Sequence, residues 1–236
     1  LKINEKTIVV MSSGSPVDMS EFASEAKALI QTSYNGMEGG LAFAEVIFGD
    51  VNPSGKLAVT IPVKLEDSPA HSIGEFPGGK EVRYDEDVFV GYRHFATRNV
   101  KPLFAFGHGL SYTDFKYDNL KLSLSELEED VDVTVTLDLT NLGEVKGSEV
   151  IQLYVNDEEA SVERPIIELR EFEKVNLEAG ETKKVTMKLN KKAFAFYNEE
   201  KSSWKLEKGS FNILVGTSSD NLLLEGKVNI EKDYEF

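Results

Sequence analysis

Residues 131–139, Val-Asp-Val-Thr-Val-Thr-Leu-Asp-Leu, alternate apolar and polar at every position. Successive side chains of an extended strand point to opposite faces, so this run predicts a strand with one face in a core and the other in water. Further strand candidates follow at short spacing over 149–155, 169–175, 182–189, 203–206, 211–216 and 222–230. Turn signals at Asn141-Leu142-Gly143, Glu178-Ala179-Gly180 and Lys208-Gly209 separate several of them. Many short strands with regular turns predict an immunoglobulin-like β-sandwich over residues 117–236, a length that fits the fold.

The texture before residue 117 is different. Residues 7–11 are short, apolar and β-branched and break at Ser12-Ser13-Gly14-Ser15-Pro16, which predicts a buried strand and a loop. Phe22, Ala26, Leu29, Ile30 and Ser33 fall at three- and four-residue spacing, which predicts an amphipathic helix over 19–34. A second helix is predicted after Asn35-Gly36-Met37-Glu38-Gly39-Gly40, running through Leu41, Ala44 and Val46 until Gly49 and Pro53 stop it. Residues 68–79, with Pro69, Gly74, Pro77, Gly78 and Gly79, predict a surface loop that either covers a neighbour or contacts a ligand. The expected architecture is α/β followed by all-β, with domains at 1–116 and 117–236.

Charge and chemistry narrow the function classes. With 26 Lys and Arg against 41 Asp and Glu the net charge is −15, which repels phosphate backbones and anionic membranes and excludes nucleic acid and membrane as expected partners. No apolar stretch approaches a membrane span. The chain has no cysteine, so disulfides, thiolate catalysis and Cys-built metal sites are excluded, and localisation leans only on that absence, toward the cytoplasm. The sequence opens at Leu1 rather than Met, which suggests a trimmed or partial product. His71, His94 and His108 lack the spacing of a helical metal site, and residues 35–40 lack the Lys-Ser/Thr pair of a phosphate loop, so no metal and no cofactor is expected. Acidic runs such as Glu158-Glu159, Glu199-Glu200 and Glu128-Glu129-Asp130 fit a solubilising role. Residues 83–95 gather Tyr84, Asp85, Glu86, Asp87, Phe89, Tyr92, Arg93 and His94, a composition that suits a buried ion-pair network and a carbohydrate-contacting surface equally. No complete catalytic constellation emerges from the residues alone.

Five segments, in order, resemble the C-terminal part of glycoside hydrolase family 3. Residues 35–40 with Ala42 and Ala44 resemble its P-G-x-E-G-G-x-A-x-A entrance, and Phe48-Gly49-Asp50-Val51-Asn52-Pro53-Ser54-Gly55-Lys56-Leu57 resembles its F-G-D-x-N-P-S-G-K-L turn. Residues 84–93 resemble its Y-x-E-x-x-x-V-G-Y-R strand, and 103–113 its F-P-F-G-Y-G-L-S-Y-T signature. Residues 165–175 resemble the R-P-x-K-E-L-K-G-F-x-K-V segment of its fibronectin type III-like domain. The chain departs from the pattern at Ala105, at His108, and at Tyr34-Asn35, where an aromatic and Pro are usual.

The resemblance implies the end of an α/β sandwich domain plus a fibronectin type III-like β-sandwich, within a retaining β-glucosidase acting on terminal β-D-glucosyl residues. With residues 196–200, Trp204 and 215–220 the chain most resembles the β-glucosidases, the alternative being a β-xylosidase or related exo-glycosidase of the same family. A stand-alone carbohydrate-binding or structural module is the alternative from another class. The family's Asp nucleophile belongs to an N-terminal barrel and its acid/base Glu to a loop upstream of residues 7–11. Glu5 lacks that loop's sequence, so no catalytic residue is expected here. The implied partners are a β-glucoside substrate and the N-terminal barrel, with a homo-oligomer left open. The resemblance anchors the far side of the 68–79 loop, which puts Phe76 and Arg83 forward as substrate-binding candidates on the aglycone-side rim.

Overall fold

The computed structural model describes residues 3–127 and 130–236; Leu1, and Glu128 and Glu129 of the acidic run, lie outside the described residues. The chain divides into two compact units. One is formed by the chain as far as Val51 together with Leu57–Phe106, the other by Asn52–Lys56 together with Gly107–Phe236. A division at 116/117 falls inside the second unit.

In the first unit, β1 (Ile8–Ser12) and β2 (Ala28–Thr32) pair in parallel, from Ile8 opposite Ala28 to Ser12 opposite Thr32. The helix predicted over 19–34 is therefore corrected. Its first half makes helical turns, with Ala23 N–H donating to the Met19 carbonyl and Ala26 N–H to the Phe22 carbonyl, and residues Ala28–Thr32 are a strand. Strand pairing gives the backbone of 28–32 partners along its length, which outweighs the modest helix preference of Ala, Leu and Gln.

The second helix forms as α1 (Gly39–Phe48). It ends where Gly49 takes φ 85°, a left-handed conformation that glycine adopts without strain. Leu41 and Phe48 are among its exposed side chains, and none of its residues is buried. The small core of this unit is Met19, Ile61, Phe89, Phe95 and Ala105. Ile61 and Phe104 form an isolated antiparallel bridge, with Ile61 N–H donating to the Phe104 carbonyl at 2.8 Å. Short helices α2 (Pro69–Ser72) and α3 (Tyr92–Thr97) complete the unit. The segment 84–93, expected as a strand, is a turn leading into α3. Positive φ at Asp87 (50°) and Gly91 (53°) is incompatible with an extended run.

The second unit is the β-sandwich. Its strands are β3 (Phe115–Leu127), β4 (Asp130–Asn141), β5 (Gly147–Asp157), β6 (Glu168–Leu177), β7 (Thr182–Asn190), β8 (Phe196–Asn198), β9 (Ser203–Leu206), β10 (Gly209–Ser218), β11 (Asn221–Ile230) and β12 (Tyr234–Glu235). They form sheets ordered β3-β4-β7, β11-β10-β5-β6 and β12-β9-β8, with antiparallel pairing throughout. Alternating residues of β4 (Val133, Val135, Leu137) meet Ile151 and Leu153 of β5, Ile213 and Val215 of β10, and Phe194 and Phe211 in one core. Strand β3 escapes the period-2 test because a bulge between Asp118 and Lys121, with Asn119 at φ 56°, shifts its inward phase from Tyr117 to Leu120, Leu122 and Leu124.

Candidate functional site

Two segments far apart in the sequence meet on strand β5. The Asn52 side-chain oxygen accepts from Ser111 Oγ (2.9 Å) and Tyr112 N–H (2.8 Å), while its amide nitrogen donates to the Lys146 carbonyl (3.0 Å). Lys56 Nζ donates to the Gly109 carbonyl at 2.7 Å and pairs with Glu149 at 2.9 Å, both side chains being nearly excluded from water. Tyr117 lies beside this pair; burial first, and the Glu149 carboxylate second, push its phenol pKa up. Gly107, at φ 83°, backs onto the Gln152 amide, and any Cβ there would collide with it. These groups are used up in holding the turn and the glycine-rich segment to the sheet.

A second buried network lies at the other end of the same strand. Arg164 Nη1 donates to Asp157 (2.9 Å) and to the Phe194 carbonyl (3.0 Å), and its Nη2 donates to Glu168 (2.8 Å). Glu168 also accepts from Arg170 Nη2 at 2.6 Å. The guanidinium of Arg164 lies 5.8 Å from the Phe196 ring centroid. Burial pushes the Asp157 carboxyl up despite the Arg164 charge beside it. This is an ion-pair lock on the segment between β5 and β6, and it was not apparent from spacing.

The candidates singled out on composition lie in the first unit. The 68–79 segment opens with the helical turn α2, and Glu75 and Phe76 N–H both donate to the Ala70 carbonyl (2.9 and 3.2 Å). Phe76 is 57% exposed and packs at a tilt against His71, with ring centroids 4.4 Å apart and ring planes 38° from parallel. Arg83 Nη2 donates to Glu75 Oε1 at 2.6 Å, its backbone N–H reaches Glu75 Oε2 at 3.3 Å, and Asp85 lies 3.4 Å away. The Arg83 hydrogen bond holds the Glu75 carboxyl below its usual pKa. Residues 75–83 thus form a loop tied at its neck, with Phe76 on one side and Val82, 56% exposed, near the other. Sequence reasoning did not single out Glu75, whose tie to Arg83 spans Pro77-Gly78-Gly79, and it weighed His71 only as a metal ligand.

The same unit has an open cavity of about 420 Å³ whose lining includes Pro16, Val59, Pro62, Tyr92, Phe95 and Phe106. Thr60, 8% exposed, also lines it, and neither Phe76 nor Arg83 does. Tyr92 and Phe106 stack at 4.9 Å. His94 is buried in α3, where desolvation and then the Arg98 charge lower its pKa. In the second unit, burial likewise lowers the pKa of His108, against the opposing pull of Asp220. The three histidines thus occupy separate environments.

Comparison with known proteins places these elements. Residues 1–112 match the model of the glycosyl hydrolase family 3 C-terminal domain, and residues 149–219 match the fibronectin type III-like domain. The thermostable β-glucosidase B of Acetivibrio thermocellus is 43% identical over 230 residues, covering 97% of this chain and 30% of the relative. The crystal structure of a Kluyveromyces marxianus β-glucosidase in complex with glucose superposes with a TM-score of 0.92 at 40% identity, covering 100% of this chain and 28% of that one. A glucose complex of β-glucosidase 3B from Thermotoga neapolitana gives 0.88 at 32% identity, covering 97% and 32%. The chain spans about a third of the length of the curated relatives it matches.

Proposed function

Because the chain belongs to glycoside hydrolase family 3, carrying that family's C-terminal α/β domain and its fibronectin type III-like domain, we propose that it serves a retaining β-glucosidase as pocket wall and support. One observation carries the proposal: relatives aligned along 97–98% of the chain at 41–43% identity are β-glucosidases by name. The likeness runs through both units, which a stand-alone carbohydrate-binding module does not account for.

The chemistry supports a division of labour. Retaining hydrolysis uses two carboxyl groups about 5–5.5 Å apart across the scissile bond, one of them free to lose and regain a proton. The buried carboxylates Glu149 and Glu168 are instead held by Lys56 and by two arginines. In this proposal nucleophile and acid/base come from upstream parts of the complete enzyme. The 75–83 loop supplies the outer, aglycone-side rim, with Phe76 offering a ring face and Arg83 a guanidinium held by Glu75.

The test is reconstitution. The purified chain should not turn over an aryl β-glucoside, and activity should appear when it is combined with the N-terminal segment of a family member. Turnover by the pure chain above background would overturn the proposal. So would reconstituted activity on aryl β-xylosides exceeding that on β-glucosides.

A further inference from the structure

We propose that Asn35-Gly36 is a spontaneous modification site, at which the chain converts a side-chain amide into a carboxylate and loosens the entrance to α1. The backbone nitrogen of Gly36 bonds to Cγ of Asn35 while the Cγ–Nδ2 bond breaks. Nδ2 leaves as ammonia, taking up the proton that the Gly36 amide loses. Water then opens the five-membered imide at one of its two carbonyls. One opening leaves an aspartate at the position, and the other leaves its isomer, in which the main chain runs through the former side chain. Water is the sole co-reactant.

The local geometry suits this reaction. Both residues are exposed. A Cβ placed on Gly36 would meet nothing within 4 Å, so neither its own side chain nor a neighbour shields the attacking nitrogen. No acceptor among the described residues takes the Gly36 N–H. The sequence has one Asn-Gly step, and each other asparagine precedes a residue whose side chain crowds the nitrogen. At position 35 the family pattern has Pro, which carries no amide to lose, so the site follows from this chain's departure from that pattern.

The consequence follows from what Asn35 holds. Its Nδ2 donates to Thr32 Oγ1 at 3.2 Å, and Thr32 Oγ1 donates to the Met11 carbonyl at 3.3 Å. This relay ties the end of β2 both to β1 and to the approach to α1. A carboxylate at this position has no proton to give and competes with Met11 for the Thr32 hydroxyl, while adding negative charge near Glu38. The isomer also lengthens the main chain by one carbon. Gly39 packs so closely on the Asn35 Cβ that a side chain there would clash, so the extra carbon displaces the first turn of α1.

The experiment is timed incubation of the whole chain, followed by peptide mapping with mass spectrometry that separates aspartate from its isomer. Asn35 should be lost ahead of every other asparagine, with both products at that position. Its rate should rise by roughly tenfold per pH unit through the neutral range, as the deprotonated fraction of a weakly acidic amide does. Gly36→Ala, which fits the open space, should slow the loss several-fold, and Asn35→Pro should abolish it. Aged protein should exchange the amides of β1 and β2 faster than fresh protein, and the Asn35→Pro variant should show no such change with age. Loss at Asn35 no faster than at Asn198, or an undiminished rate in Gly36→Ala, would overturn the proposal.

Discussion

Arg164→Ala is the sharpest test of what stabilises the β-sandwich. Arg164 is 8% exposed at its side chain and satisfies three acceptors, Asp157, Glu168 and the Phe194 carbonyl. Glu168 would keep Arg170 at 2.6 Å, so the variant strands one carboxylate, that of Asp157, 7% exposed. Removing one partner of a buried pair costs about 3–5 kcal/mol, because the remaining charge stays desolvated without its counter-ion. At about 2–4 °C per kcal/mol for a unit of this size, the melting temperature should fall by about 6–20 °C. The single tryptophan, Trp204, packs against the sandwich core, so its fluorescence reports the unfolding of this unit.

The pH dependence adds a signature that a packing defect would lack. Burial already raises the folded Asp157 pKa above 3.8, with Glu207 adding to the rise and Arg164 opposing it. A carboxyl with a raised folded pKa favours the fold below its unfolded value, and that contribution is lost as pH rises through the folded value. Removing Arg164 lifts the folded pKa further, so the deficit should be full at neutral pH and shrink on acidification. Asp157→Asn in the same background should recover part of the loss at neutral pH. A loss below about 1 kcal/mol, the range of exposed pairs, would refute the reasoning, as would a deficit that grows in acid.

Lys56→Met should destabilise the sandwich by about 3–5 kcal/mol by stranding Glu149, while the double variant with Glu149→Gln should recover much of it; equal melting temperatures for Lys56→Met and the unaltered chain would sink this assignment. In hydrogen exchange, β1, β2 and α1 should lose protection before β4 and β5, because among the described residues the β1-β2 sheet has two unpaired edges and α1 buries none of its residues. The reverse order would count against it. In the reconstituted enzyme, Phe76→Ala should raise KM for bulky glucosides while leaving small aryl substrates nearly unchanged. Equal effects on both, or a lowered melting temperature without kinetic selectivity, would assign Phe76 to packing.

The sandwich was legible wherever burial imposed a period of two. Strand β4 declares itself because every second side chain enters the core, whereas β3 hides because the bulge at Asn119 moves its inward positions by one. The α/β part was harder to read for a physical reason. Strand β2 offers five residues, partly exposed, and their assignment rests on a parallel partner rather than on their own pattern. Among the site candidates, Phe76 and Arg83 stood out by residue type. The Glu75–Arg83 tie joins residues whose pairing depends on how the intervening Pro and Gly turn, and no periodicity encodes that.

The segments that most clearly mark the family are not, for that reason, its chemistry. Asn52, Lys56 and Gly107 belong to two of the five resembling motifs, yet each has its polar or steric capacity consumed inside the second unit. A Lys paired with a buried carboxylate has little left to offer a sugar, and a glycine is required at 107 because the Gln152 amide fills the space a side chain would need. Such positions specify a fold and change at large cost, so they reveal ancestry while remaining silent about specificity. Exposed groups held by partners at one end only, such as Phe76 on His71 and Arg83 on Glu75, can change without cost to the core. Differences in substrate preference among family members should therefore be sought at the loop tip, and differences in durability at departures such as Asn35.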